Sequence, residues 1–398
     1  MRCTCEYCRD IDYDNSEYFV DRSHLNRPRP VGVTGLLRVK NDAEFLALCI
    51  DSCIEALDEL VIVYQPCDDD SPRIIESKRR QYPDKIRTYF YRPVVLSHHL
   101  TEEEFRYASA LPETSIHLLS NYYNYTLSKA SYRYALKIDA DQIYFTDKLK
   151  EFCDAFRTTE KKRITFTENM AARQIHFFAD LTNVFPELLS RRFRFLIPSD
   201  KQVARYSRYT LKKAANKKYP VSFSGINLYE RSGEWMLPTG SYADGLFPPF
   251  NGIHDTYIFK ISPMSYYIPQ PIPYHSADKY RNCIIEHFSL NQTLIIYKSI
   301  YSHKLLYGGF LWYHTAPLKE PDFTAKREKY ANRTLPLFGK RNDFFSLENH
   351  SPLRRWMRPW YCLFWRREQR SLPERPLPER PLPEIGRILH TRSNDEKQ

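Results

Sequence analysis

Residues 31–92 alternate two hydrophobic periods, and that alternation limits the fold more than any other feature of the chain. VGVTGLLRV (31–39) is an apolar, β-branched run of the kind found in strands buried on both faces. KNDAEFLALCIDSCIEAL then places Phe45, Leu48, Cys49, Cys53 and Leu57 at helical spacing, with Asn41 or Asp42 as the cap. DELVIVYQP (58–66) reads as a second buried strand. DDDSPRIIESKRRQYP reads as an acidic loop and a helix opened by Pro72 and stopped by Pro83. DKIRTYFYRP supplies a third strand. Strand-helix-strand-helix-strand over so short a stretch requires crossover connections and a parallel sheet, so the fold class is α/β.

A further helix, SIHLLSNYYNYTLSKAS (115–131), leads into the strand YALKID, which ends in Asp139-Ala140-Asp141. Ligands of open α/β sheets collect beyond the carboxyl ends of strands. Two aspartates there suit a hard divalent ion, Mn2+ or Mg2+, that bridges carboxylate and diphosphate oxygens. One aspartate would bind the ion and the other would hold ribose or a metal-bound water. A nucleotidyltransferase acting on sugar phosphates would share the acidic pair, but it needs a glycine-rich phosphate loop after its first strand. TGLLRVKND lacks that loop, and the 398 residues include 11 glycines. A non-catalytic carbohydrate-binding scaffold is the remaining alternative, disfavoured by the intact Asp139 and Asp141.

The 30 tyrosines and 24 phenylalanines suit stacking on sugars, or else an aromatic-rich core. A net charge of +11 fits anionic partners such as nucleotides or an acidic lipid surface. No basic run interleaved with aromatics marks a nucleic-acid groove, so nucleic acid is not an expected partner. The N-terminus carries no apolar signal core and no run is long enough to span a bilayer, which gives a cytoplasmic expectation. The nine cysteines are then reduced thiols. Cys3, Cys5 and Cys8 form half of a zinc site with no Cys/His pair nearby to complete it. They are expected to be disordered thiols in a polar arm.

Beyond residue 150, KRITFTENMA (162–171) and YPVSFSGINLYERSGEWML (219–237) read as strands. Residues 246–262 read as a loop followed by a strand or short helix, 275–306 as mostly helical, and GGFLWYHTAPLK (308–319) as strand or loop. Segment 353–367 mixes Trp356, Trp360, Phe364 and Trp365 with arginines, the composition of an interfacial helix docking on a membrane surface. A packing helix that closes the domain is the other reading. The repeat Leu-Pro-Glu-Arg-Pro, from Leu372 to Glu384, makes a stiff exposed stalk.

LLRVKNDAEFLALCIDSCIEALDELVIVYQPCDDDSPRII and NYTLSKASYRYALKIDADQIYF resemble, in order and spacing, two blocks of the family 2-like bacterial surface-polysaccharide glycosyltransferases. The resemblance implies a GT-A fold with a helical C-terminal extension. It also implies a nucleotide-sugar donor such as a UDP-sugar, a glycan or lipid-linked oligosaccharide acceptor, and work at the inner face of the cytoplasmic membrane in lipopolysaccharide, O-antigen or capsule synthesis. Arg38, Lys40 and Asn41 would line the nucleotide pocket, and one of Asp68, Asp69 and Asp70 would contact uracil or ribose. Asp141 would bind the metal directly, with Asp139 beside the ribose and the ion.

PPFNGIHDTYIF resembles the acceptor-side segment of such enzymes, where a carboxylate acts as the base that inverting transfer needs. Asp255 is the first candidate for that base, then Asp244, then Glu234. His314 would complete the metal site, in competition with His254, His275 and His287, while Lys319 would meet a phosphate or stand solvated. The implied organisation is an arm (1–30), a GT-A catalytic domain (31–260), an acceptor-side part (261–345) and a basic aromatic segment with a Pro-rich tail (346–398).

Overall fold

The computed structural model describes residues 3–9, 11–184, 197–231, 234–236, 250–272, 282–289, 306–319 and 363–364. The expected opening is present as strand β1 (Val33–Val39), helix α1 (Ala43–Ile54), β2 (Glu59–Tyr64), α2 (Ser71–Gln81) and β3 (Ile86–Phe90). Helices α3 (Glu102–Ala110) and α4 (Leu119–Ser128) lead to β4 (Tyr134–Asp139), a short β5 (Gln142–Tyr144) and α5 (Thr146–Arg157). Next come α6 (Phe166–Val184), α7 (Asp200–Lys217), β6 (Val221–Asn227), β7 (Tyr229–Arg231) and β8 (Glu234–Met236). The described chain continues with β9 (Phe250–Lys260), β10 (Tyr267–Ile272), β11 (Cys283–Phe288), β12 (Leu306–His314) and the single turn α8 (Ala316–Lys319).

Eight strands form one mostly parallel sheet in the order β3-β2-β1-β4-β9-β6-β12-β5. β9 and β5 run against their neighbours, and the other six strands run one way. Both faces are buried, as crossover helices require. Leu37, Leu60, Ile62, Leu136 and Ile138 pack with α1 and α5 on one face. Leu36, Val61, Val63 and Ala135 meet α4 and the N-terminal segment on the other. Much of the tyrosine lies in this second layer: Tyr18, Tyr91, Tyr122, Tyr123, Tyr125, Tyr257 and Tyr267 are all buried, which favours the aromatic-core reading for them.

Four expectations are corrected. Residues 166–171 are helical, because Thr165 and Glu168 form a reciprocal N-terminal cap. Thr165 N donates to Glu168 Oε2 at 2.8 Å and Glu168 N to Thr165 Oγ1 at 3.3 Å. Residues 283–288, expected to be helical, form β11 because they pair antiparallel with β10. β12 falls in the stretch assigned to the acceptor side, yet it is an inner strand between β6 and β5, so the sheet does not end at residue 260.

The N-terminal segment is not a free arm. Tyr18 and Leu25 are buried against the sheet layer, Asn121 Nδ2 donates to the Tyr18 carbonyl at 2.9 Å, and Arg29 Nε donates to the Ala130 carbonyl at 3.1 Å.

Within 353–367 only Leu363 and Phe364 are described. Both are buried, with the Phe364 ring 5.0 Å from Tyr307 and 5.9 Å from Tyr206, so these two side chains serve packing. The rest of that segment and the Pro-rich repeat lie outside the described residues. Among the described residues no helix is long and apolar enough to cross a membrane.

The Thr165 cap makes a direct prediction. Thr165→Ala should cost about 1 kcal/mol, as loss of a helix cap does, and thermal denaturation measures it. Glu168 is buried, which alone would raise its pKa. Lys212, 2.8 Å away, and the Thr165 bonds outweigh that and hold the carboxyl below its ordinary value. Its stabilising contribution is therefore full above the ordinary glutamate pKa and lost as pH falls through the depressed one.

Candidate active site

β1 and β4 lie side by side and place Arg38 opposite Asp139 at their carboxyl ends. Arg38 is buried. Its guanidinium donates to the carbonyls of Leu36 (3.2 Å) and Ile138 (3.1 Å) and to Asp139 Oδ1 (2.8 Å), and lies 3.7 Å over the ring of Tyr123. The other Asp139 oxygen accepts from Lys137 Nζ at 3.0 Å and from Gln142 Nε2 at 3.3 Å. Both oxygens of Asp139 are thus engaged by cations and an amide. The buried ring of Arg38, Lys137, Gln142 and Tyr123 holds the end of β4 in one position. The guanidinium of Arg38 is committed to the protein rather than facing an open pocket.

Asp141 sits differently. β12 runs between β6 and β5, so its register sets His314 beside both Asn227 and Gln142. His314 Nδ1–H donates to Asn227 Oδ1 at 2.9 Å, and Nε2 faces Asp141 Oδ2 at 3.3 Å, where it donates when the ring is protonated and is a second acceptor when the ring is neutral. Two acceptors at that separation repel unless a proton or a cation lies between them. An oxygen and an imidazole nitrogen held this way fit a divalent ion such as Mn2+.

The Asp141 backbone is fixed as well, its carbonyl accepting from Thr315 N (2.9 Å) and Thr315 Oγ1 (3.0 Å). Burial pushes the Asp141 carboxyl up, but the hydrogen bond and charge of His314, with Lys319, hold it below the usual carboxylate range. Of the three expected metal residues, the structure brings Asp141 and His314 together. Asp139 joins no three-ligand cluster with them among the described residues.

The loops after β1 and β2 meet above the sheet. Asn41 has a left-handed backbone (φ 57°), which asparagine tolerates, and its Oδ1 accepts from Asp68 N at 2.8 Å. Asp69 accepts from Ala43 N (2.9 Å) and Ser71 N (3.0 Å). It therefore caps α1 across the loop, a job expected of Asn41 or Asp42. Burial works against ionisation of Asp69, and these amides still bring its pKa down. With Asp69 spent on backbone, Asp68 (exposed) and Asp70 (half-buried) are the other carboxylates of that loop, which also has an exposed Lys40 nearby in the loop after β1. Lys319 Nζ pairs with Asp42 Oδ1 at 2.9 Å, so α8 is latched to the start of α1 and the lysine is not simply solvated.

Asp255 lies on β9, and its side chain is outside the described residues, as are Asp244 and the side chains of Glu234 and His254. His275 is outside them too. β9 runs antiparallel to β4. Thr256, the residue after Asp255, accepts from Gln142 Nε2 through its hydroxyl at 3.3 Å, so the Asp255 backbone adjoins the acidic turn. His287 is on β11, which pairs with β10 outside the eight-stranded sheet. Sequence reading missed Lys137, Gln142, Asn227 and Thr315. Lys137 carried a signal, a charged residue inside an apolar strand, whereas the others become visible only through the cross-strand register.

A mostly parallel sheet, a β4 that runs into Asp139-Ala140-Asp141 and a histidine returned to that turn by a late strand make up the arrangement that the resemblance to GT-A glycosyltransferases implies. More narrowly, residues 12–185 match the family described as "Beta-1,4-N-acetylgalactosaminyltransferase (CgtA)". That match spans less than half the chain; it includes the acidic turn and stops before Asp255 and His314.

No curated protein matches the chain at a significant level. Glucosyl-3-phosphoglycerate synthase from Mycobacterium tuberculosis, in complex with Mn2+, uridine-diphosphate and glucosyl-3-phosphoglycerate, is 11% identical. It covers 80% of this chain and 82% of its own, with a TM-score of 0.29. S. aureus TarS 1-349 is 12% identical, covering 83% of this chain and 79% of its own, with a TM-score of 0.28. Scores this low carry no functional argument.

Proposed function

We propose that the chain transfers an N-acetylhexosamine from a UDP-sugar, with inversion, to a glycan or lipid-linked acceptor of a bacterial surface polysaccharide. The observation that carries the donor half is the facing pair of Asp141 and His314. The description of the matched family supports the sugar, and a β linkage made from the usual α-linked donor is an inversion. A Mn2+ or Mg2+ ion held by Asp141 and His314 would supply charge to the departing diphosphate.

The rest is work for the chain's own side chains. Asn227 fixes the His314 tautomer, the Arg38–Asp139 pair keeps the turn in place, and Asp68 or Asp70 meets the nucleoside. Asp255 takes the proton of the attacking acceptor hydroxyl, with Asp244 as the alternative. Close alignment of the two sugars supplies much of the remaining acceleration. A cytoplasmic position, peripheral on the membrane through the tryptophans and arginines of 353–367, accords with a lipid-linked acceptor.

Calorimetric titration of UDP with and without Mn2+ tests the donor reading. Binding that requires the ion is expected, and equal affinity in its absence would sink the metal assignment. Asn227→Ala should free the imidazole to rotate and raise the Mn2+ concentration needed for half-maximal turnover by about 10–100-fold, the usual cost of losing such a partner. An unchanged Mn2+ requirement would show that the tautomer is not what Asn227 controls.

A further inference from the structure

Cys3, Cys5 and Cys8, expected to be loose thiols, are ordered and gathered around one imidazole. His117 Nε2 lies 3.9 Å from Cys3 Sγ, 3.2 Å from Cys5 Sγ and 3.3 Å from Cys8 Sγ. All four atoms fall within 4.8 Å of one another, the only such grouping of three or more His, Cys, Asp or Glu among the described residues. We propose that these four side chains bind a structural zinc ion, separate from the Asp141–His314 site.

The spacings match a tetrahedron. Zinc bonds of roughly 2.3 Å to sulfur and 2.0–2.1 Å to nitrogen put ligand atoms about 3.6 Å (S to N) and 3.8 Å (S to S) apart. The imidazole is set for the task, because His117 Nδ1–H donates to the Val94 carbonyl at 2.8 Å and turns the Nε2 lone pair toward the sulfurs. One lone pair can satisfy only one S–H donor, whereas a single cation satisfies all three thiolates and the nitrogen. Three thiolates and an imidazole are a soft set that selects zinc over Mg2+ or Mn2+, and four protein ligands leave no open position for catalysis.

The loop is also built without reference to a metal. Asn15, fully buried, accepts from Cys3 N at 3.0 Å and donates to the Cys3 carbonyl at 2.7 Å. A tight turn closes Cys8 N onto the Cys5 carbonyl at 2.9 Å, which brings those two residues together. His117 itself has no exposed surface.

The consequence is a tie between residues 112 positions apart, Cys5 and His117. It clamps the N-terminal segment onto the chain just before α4, the helix that carries Tyr123 over Arg38. Binding energy at such a site becomes folding energy, because the unfolded chain has no preformed site.

The test is elemental analysis of the full chain, purified under reducing conditions without a histidine tag, with cobalt exchange as a second readout. About one zinc per chain is expected, retained in Asp141→Asn and lost in Cys5→Ser and His117→Ala. Because those two variants risk misfolding, the wild type is stripped with chelator and given Co2+. It should then show ligand-field bands of a tetrahedral site and thiolate-to-cobalt charge transfer. The proposal fails if the folded wild type holds less than a tenth of an equivalent and takes up no cobalt at thiolates. It fails equally if zinc leaves with Asp141→Asn, or if the native thiols prove to be oxidised to a disulfide.

Discussion

Asp141→Asn is expected to abolish Mn2+-dependent UDP binding and to lower kcat/KM by about 10^3-fold. That factor corresponds to about 4 kcal/mol, the scale of charge stabilisation a metal gives a departing phosphate. The substitution keeps the shape of the side chain and the Thr315 bonds to its carbonyl, so the fold should survive and the melting temperature should move little. His314→Ala should reproduce the loss in part, because the carboxylate remains. Turnover within tenfold of wild type for Asp141→Asn, at saturating Mn2+, would show that the ion is held elsewhere or not needed.

Arg38→Met should instead damage stability, by about 3 kcal/mol. It removes two carbonyl contacts, the Tyr123 stacking and one of the two cations on Asp139. Breaking a fully buried pair by deleting one partner costs about 3–5 kcal/mol. Asp139 keeps Lys137 and a quarter of its side-chain surface (26%), so water softens the loss toward the lower figure. Chemical denaturation of Arg38→Met beside Arg38→Lys separates charge from shape. The lysine variant should recover less than half, because a point charge cannot reach two carbonyls and a carboxylate together. If Arg38→Met unfolds at the same denaturant concentration as wild type, the ring around Asp139 is not what secures the end of β4.

Local pattern carried the first half of the fold. Strands β1 to β4, helices α1, α2 and α4, the Pro72 entry to α2 and the acidic turn after β4 follow from hydrophobic period and proline placement, which act within a few residues, whereas α3 (Glu102–Ala110) was not read from the sequence. Asp139 and Asp141 were legible because an apolar strand running into two carboxylates is a local event.

What only the tertiary structure decided depends on partners far away in sequence. The division of labour between the two aspartates is set by which neighbour each meets: Arg38 and Lys137 for one, His314 for the other. β12 chooses the second of these by pairing with β6 and β5. Residues 283–288 became a strand because β10 offered an edge, and Asp69 rather than Asp42 caps α1 because the β2–α2 loop folds over it. The thiols of Cys3, Cys5 and Cys8 looked unpartnered because no motif spacing can show a ligand so remote in sequence. The physical reason is the same throughout: hydrophobic period is written in adjacent residues, whereas the cross-strand register and the meeting of distant loops exist only once the chain has closed on itself.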